Sequence, residues 1–420
     1  MTRLPRLPLR RATGRLAAAA TLAAASLAAH AAQPDAALLE AARRAQPAVI
    51  DTLRELVSIE SGSANAAGLA QMADYVERRL KALGAATERR RPAKGSAPIV
   101  VGTLDGTGSR RIMLQAHLDT VYPAGILQTQ PWRVEPGRLY GPGVADDKGG
   151  VAVILHALAL LRDAGWRDYA RITVLFNADE EIGSDGSGEL IAALAAEHDY
   201  VLSCEPSPDR PEGLLLSAAG TGTVRLQVRG RASHAGAAPE LGRNALVELA
   251  HQIVQTREVA QSVAGTQLNW TQAQAGVVRN QIPELATAHG DMRLTVADGF
   301  ERLQAALDDR VKTTLVPDTQ TTVTIERGRP PFVASAAGRE LGRVAQGVYA
   351  ELGRSLALIP ATGGATDAGF AARSGKAAVL ESFGLPGAGY HARDEYVLTE
   401  AIAPRLYLMA RVMQEAARTR

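Results

Sequence analysis

Three apolar strands in this chain each run straight into an acid or a histidine, and that pattern restricts the fold more than any other feature. Residues 111–116 lead into His117, residues 171–177 into Asp179-Glu180-Glu181, and residues 200–204 into Glu205. Around them, apolar residues recur at helical spacing over 36–56, 66–83, 149–164 and 188–196, with Gly84 placed to cap the second helix. Short strands alternating with helices specify an α/β layer fold with a mainly parallel central sheet. Open sheets of that kind bind ligands beyond the carboxyl ends of their strands, where these polar residues stand.

The alternation changes after Gly220. A strand over 223–229, a helix over 244–256, strands over 267–274 and 287–296, a helix over 300–311 and a strand over 321–327 follow in turn. That β-α-β-β-α-β order is the split βαβ (ferredoxin-like) sandwich. It reads as a second domain, residues 221–330, inserted into a first made of 33–220 and 331–420. A helix over 339–352, a strand over 377–381 and a helix over 402–418 complete the first domain.

Residues 1–32 stand apart from both. Arg3, Arg6, Arg10, Arg11 and Arg15 precede an Ala/Leu-rich run over 16–29 and small-residue cleavage sites near Ala31. This is the pattern of a secretory signal peptide, too short for a membrane span, and it predicts an exported protein, periplasmic or secreted. The residues after Arg10-Arg11 are not the hydrophobic ones of a twin-arginine signal. Removing the five leader arginines takes 46 basic against 44 acidic residues to 41 against 44. A mildly acidic mature chain gives no footing for nucleic acid or an anionic membrane as partner. Cys204 is the only cysteine, which excludes an intramolecular disulfide and reads as a small buried strand residue.

Two histidines and three carboxylates, His117, Asp146, Glu181, Glu205 and His391, form a mixed N/O set of the kind zinc accepts. Each member has an ordinary alternative. His117 with Asp119 two residues on is either a polar strand end or a ligand with its carboxylate orienter on the same face. Asp146, in the glycine-rich loop 139–150, is either a helix cap or a carboxylate bridging two ions with its two oxygens. The acids 179–181 are an exposed turn, or they meet something positive, because buried acids are costly to leave uncompensated. Glu205 and His391 carry no signal alone. Glu180 beside Glu181 supplies the base that activates a metal-bound water.

Taken in order, the segments resemble the zinc-dependent aminoacylase and carboxypeptidase family of co-catalytic metallopeptidases, on its bacterial glutamate carboxypeptidase branch (the folate-hydrolysing carboxypeptidase G type). The resemblance rests on His117-Leu118-Asp119-Thr120-Val121, Ala145-Asp146-Asp147-Lys148-Gly149-Gly150, Asp179-Glu180-Glu181, Ala232-Ser233-His234-Ala235-Gly236 and Gly328-Arg329-Pro330. It implies a zinc-peptidase domain with an inserted βαββαβ lid that also forms a homodimer. It implies two zinc ions bridged by Asp146, with His117 and Glu205 completing one site and Glu181 and His391 the other. Glu180 would be general base and acid, Asp119 the orienter of His117, and the Asp146–Asp147 peptide cis. His234 would stabilise the oxyanion from the partner subunit. Asn280, Arg293, Arg329 and the Gly363-Gly364 segment would hold the substrate, a small N-acyl amino acid or peptide with a free carboxylate.

Two departures bear on the substrate. Gly213 and Leu215 stand where the folate-cleaving pattern has a lysine and a serine, and Ala365 stands where relatives carry a third glycine. A lost cation and a gained leucine favour an uncharged C-terminal residue over glutamate. An aminoacylase or dipeptidase of the same fold is the alternative activity. A metal-dependent binding protein without turnover has no use for Glu180.

Overall fold

The computed structural model describes residues 33–418, so the arginine-rich leader lies outside the described residues. The central sheet orders its six strands as Ala86–Arg90, Ile99–Asp105, Arg171–Asn177, Arg111–His117, Tyr200–Ser203 and Ala378–Leu380. The last four run parallel, and the first two form an antiparallel edge. Side chains alternate between two buried faces, as a strand's period of two requires. Val100, Ile112, Leu114, Val174, Phe176 and Leu202 face one core with Leu53, Val153, Leu406 and Met409 of the helices Ala36–Val57, Lys148–Asp163 and Ile402–Arg418. Ile99, Val101, Met113, Leu175, Val201 and Val379 face the other, against Ile191 and Ala195 of the helix Gly188–Ala195. Cys204 is fully buried just past its strand.

Local signals set the helix ends. Asp35 caps the first helix by accepting from the amide of Leu38 at 3.0 Å, and Asn65 caps the helix Ala66–Ala82 through the amide of Gly68. Gly84 lies just past that helix with φ 88°, the left-handed stop that glycine adopts freely.

The inserted segment folds as a four-stranded antiparallel sheet ordered Thr266–Ala275, Leu285–Leu294, Gly220–Arg229 and Gln320–Arg327. The helices Ala245–Thr256 and Gly299–Arg310 contribute Leu249, Phe300, Leu303 and Leu307 to the core beneath Val224, Leu226 and Val228. This is the split βαβ arrangement expected. The pair Ser217–Ala218 with Phe332–Val333 ties the outgoing and returning chain together.

A second sheet was not legible in the sequence. It joins Arg133–Glu135, Arg138–Tyr140, Tyr396–Leu398, Pro386–Ala388 and Ser207–Pro208. Its importance is positional: it sets the loop carrying His391 beside the loop carrying Asp146.

Candidate metal centre

The parallel register fixes the first part of the site. His117 is the last residue of its strand and lies opposite Asn177, so the turn at 179–181 begins at the same edge of the sheet, as does Glu205 just past Ser203. His117 is buried, with Nε2 at 2.9 Å from Asp146 Oδ1 and 3.7 Å from Glu205 Oε1. From the opposite side, His391 Nε2 lies 3.3 Å from the other Asp146 oxygen, Oδ2, and 3.4 Å from Glu181 Oε2. Each oxygen of Asp146 therefore looks toward its own histidine, with Glu205 beside His117 and Glu181 beside His391. The backbone accommodates this with His391 itself left-handed, at φ 60°.

Asp147, rather than Asp146, caps the helix that follows, through the amide of Gly150 at 3.1 Å. Its second oxygen accepts the amide of His117 at 3.2 Å. The peptide between Asp146 and Asp147 is cis, as the resemblance implies.

Two assigned roles are altered by the geometry. The Asp119 carboxylate was expected to accept the second ring N–H of His117, but Nδ1 meets the Asp119 main-chain oxygen at 3.0 Å, and the carboxylate is farther off at 3.4 Å. The carboxylate instead accepts the amides of Glu180 and Glu181, each at 3.1 Å, and the Ser63 hydroxyl at 2.8 Å. Asp119 thus orients the histidine with its backbone and the acidic turn with its side chain. Arg329 was expected to receive a substrate carboxylate. Its fork is buried against Glu180 Oε1 at 2.8 Å and the Ala365 carbonyl at 2.9 Å, and Asp367 stands 3.8 Å away.

The electrostatics follow from so many acids out of water. Burial first, then the Glu205 charge, raises the Glu180 carboxyl well above its usual range, with Arg329 opposing. Burial pushes Glu205 up to about 8 against the pull of His117. Burial also resists ionisation of Asp146, yet hydrogen bonds from His117 and His391 hold it below the ordinary carboxylate range. The hydrogen bonds that His391 donates to Asp146 and Glu181 lift it to about 10. Glu181 Oε1 is buried with no hydrogen-bond partner among the described residues. An orphaned carboxylate oxygen among acids that raise one another's proton affinity fits a divalent cation. Donor atoms of His117, Asp146 and Glu181 lie within 4.8 Å of one another, as do those of His117, Glu180 and Glu205.

These groups open into a cleft of about 690 Å³ that also takes in Leu215, Arg293, Gly364 and Tyr390. Comparison with known proteins agrees with this chemistry. The model of peptidase family M20/M25/M40 matches residues 113–415. Carboxypeptidase G2 of Pseudomonas sp. (strain RS-16) is 45% identical over 91% of this chain and 92% of that protein. The chain belongs to peptidase family M20/M25/M40.

Other members lie farther off. Acetylornithine deacetylase of Myxococcus xanthus is 28% identical over 56% of this chain and 62% of that protein. The structure of an M20 family metallo-carboxypeptidase from Sulfolobus solfataricus shares the fold with a TM-score of 0.69 at 18% identity, covering 88% of this chain and 99% of that one. This M20 chain is accordingly a zinc-dependent metallo-carboxypeptidase or amidohydrolase.

The remaining expected residues divide by place. Gly364 and Arg293 line the M20 cleft, and Arg293 is paired with Asp291 at 3.0 Å. Gly363 adjoins Gly364 without lining the cleft. His234 ends one strand of the short pair Ser233–His234 with Gln281–Ile282, Asn280 lies in the turn just before the other and its carbonyl accepts the Ala235 amide at 2.9 Å, and neither lines the cleft of its own chain. Of the departing residues, Leu215 and Ala365 line the cleft, whereas Gly213 is buried where an added Cβ would stand 2.7 Å from the Ala357 carbonyl. Reading by motif missed Glu395, Asp367 and the buried Lys148, all within the site's supporting shell. Only Lys148 carried a sequence signal, as the cation inside the Asp-Asp-Lys-Gly-Gly turn.

Proposed function

We propose that this chain is an exported two-zinc exopeptidase that releases a C-terminal amino acid with an uncharged side chain from N-acyl or short peptidyl substrates. The observation that carries the reading is Asp146, whose two oxygens face two different histidines, with Glu205 beside one, Glu181 beside the other and Glu180 close to His117 and Glu205. His117 and Glu205 would hold one ion, His391 and Glu181 the other, and Asp146 both. Bound zinc supplies Lewis acidity and lowers the pKa of a coordinated water. Glu180 takes the proton from the attacking water and returns it to the leaving amine, a task suited to a carboxyl whose proton affinity burial has raised.

The cleft lining supports the substrate choice. Leu215, Thr362, Gly364, Ala365 and Tyr390 are neutral, and both arginines that reach it are already ion-paired. A panel of N-acyl amino acids varying only in the C-terminal residue, assayed with zinc-loaded enzyme, tests this. Ala, Leu or Phe conjugates should give higher kcat/KM than the Glu conjugate. Turnover of the Glu conjugate alone would sink the assignment.

Export rests on the leader sequence, and no helix among the described residues is long and apolar enough to cross a membrane. A homodimer through the inserted domain is supported by Leu246, Val247 and Val254 exposed along one helix, and by the strand Thr266–Ala275 at the sheet's edge. It would give His234 a partner's cleft to enter. Light scattering should return twice the mass of one mature chain, and monomer alone would remove the trans role of His234.

A further inference from the structure

Glu395 follows His391 by four residues in the chain, yet its carboxylate works on the opposite side of the centre. It is fully buried. Oε1 accepts the amides of Ala145 at 2.8 Å and Asp146 at 3.0 Å. Oε2 accepts the amide of Gly143 at 2.8 Å and lies 2.7 Å from the Tyr122 hydroxyl, which also reaches the Ala392 carbonyl at 2.8 Å. Three buried main-chain donors of an irregular loop therefore end on one side chain. Buried amides seldom go without a partner, and here neither helix nor sheet supplies one.

The loop these amides belong to also carries two turn bonds, from the amides of Val144 to the Gly141 carbonyl at 3.1 Å and of Lys148 to the Gly143 carbonyl at 3.0 Å, which leave the amides of Gly143, Ala145 and Asp146 to Glu395. Gly143 is left-handed at φ 71°, and a Cβ there would stand 2.5 Å from the Thr120 side chain. The loop's start is pinned separately, by the buried Lys148 ammonium donating to the carbonyls of Pro142 at 3.0 Å and Ile59 at 3.1 Å. Its end, where Asp146 stands, is held by Glu395.

We propose that Glu395 is the positioning residue that sets the two halves of the metal centre at their working separation. It is built on the loop that supplies His391 and grips, through charge-assisted hydrogen bonds, the loop that supplies the shared carboxylate Asp146. It does not line the cleft and belongs to neither group of candidate ligands. The inference rests on the two-zinc reading above and adds to it what fixes the spacing.

Glu395→Gln tests it with almost no change of volume. The three amides are divided between the two oxygens, so a carboxamide in either orientation sets N–H against N–H. Zinc affinity of the purified, folded variant, measured by competition with a chelating dye beside the wild-type chain, should fall about 10- to 100-fold, the usual effect of losing a partner behind a ligand. Because Asp146 is shared, both ions should weaken together. With zinc in excess, kcat should fall while KM stays within about twofold, the pattern of an interaction that acts in the transition state alone. A folded variant whose zinc affinity is within about twofold of wild type would overturn the proposal, whatever its melting temperature, since a merely structural role moves only the latter. Should Glu395→Gln fail to fold, Tyr122→Phe carries the test, with an expected loss of about three- to tenfold and an unchanged affinity overturning it. A wild-type chain that binds two zinc ions without hydrolysing any amide would defeat the functional reading and leave this one standing.

Discussion

Glu180 is a carboxyl held out of water between Arg329 on one side and the Glu205 charge on the other. Its proton affinity is raised by burial first and by that neighbouring acid second, with the arginine opposing. Such a group can accept a proton and later surrender it. Glu180→Gln should keep its zinc while kcat falls at least about 10²-fold, the usual contribution of a positioned general base. Full activity in that variant, with metal content unchanged, would rule Glu180 out as the base. Of the candidate ligands, His117, Glu181 and Glu205 stood out because each ends or follows an apolar strand, whereas Asp146 and His391 stand in glycine-rich loops. The partners of Asp119 and Arg329 were not legible, because a spacing of two says which face a side chain shares and nothing about which of two oxygens is nearer. Glu395 carries no signal at all, since its partners are main-chain amides from a loop some 250 residues away in the chain.

At the level of elements, the parallel ladder does most of the placing. Register between 111–117 and its two neighbours brings His117, the 179–181 turn and Glu205 to one edge without any long-range side-chain contact. These strands were readable because burial on both faces makes them nearly continuous apolar runs bounded by polar residues. The four-stranded antiparallel sheet was readable for the complementary reason. Its strand Gly220–Arg229 alternates buried and more exposed positions, one face on the helices and one toward solvent. The sheet that joins 133–140, 207–208, 386–388 and 396–398 was not readable, because strands of two or three residues are too short to show any period. Neither was the parallel pair Gly213–Leu215 with Ala357–Ile359, which turns Leu215 toward the cleft and leaves Gly213 pressed against its neighbour.

Across the whole molecule, the catalytic layer and the inserted domain meet at the neck formed by Ser217–Ala218 and Phe332–Val333, and the cleft takes residues from both, Arg293 and Glu181 among them. The candidate metal centre is likewise assembled from distant pieces: three strand ends, one glycine-rich loop and one loop near the C-terminus. What unites them is a single carboxylate with one oxygen for each half. That makes Asp146 different in kind from the other ligands, and zinc stoichiometry reads the difference directly. The measurement is zinc bound per chain after dialysis at a fixed free zinc concentration, for the wild type and for Asp146→Asn, Glu205→Gln and Glu181→Gln. The account predicts two ions for the wild type, close to one for each glutamate variant, and little of either for Asp146→Asn. One ion in the wild type, or two retained by Asp146→Asn, would contradict it.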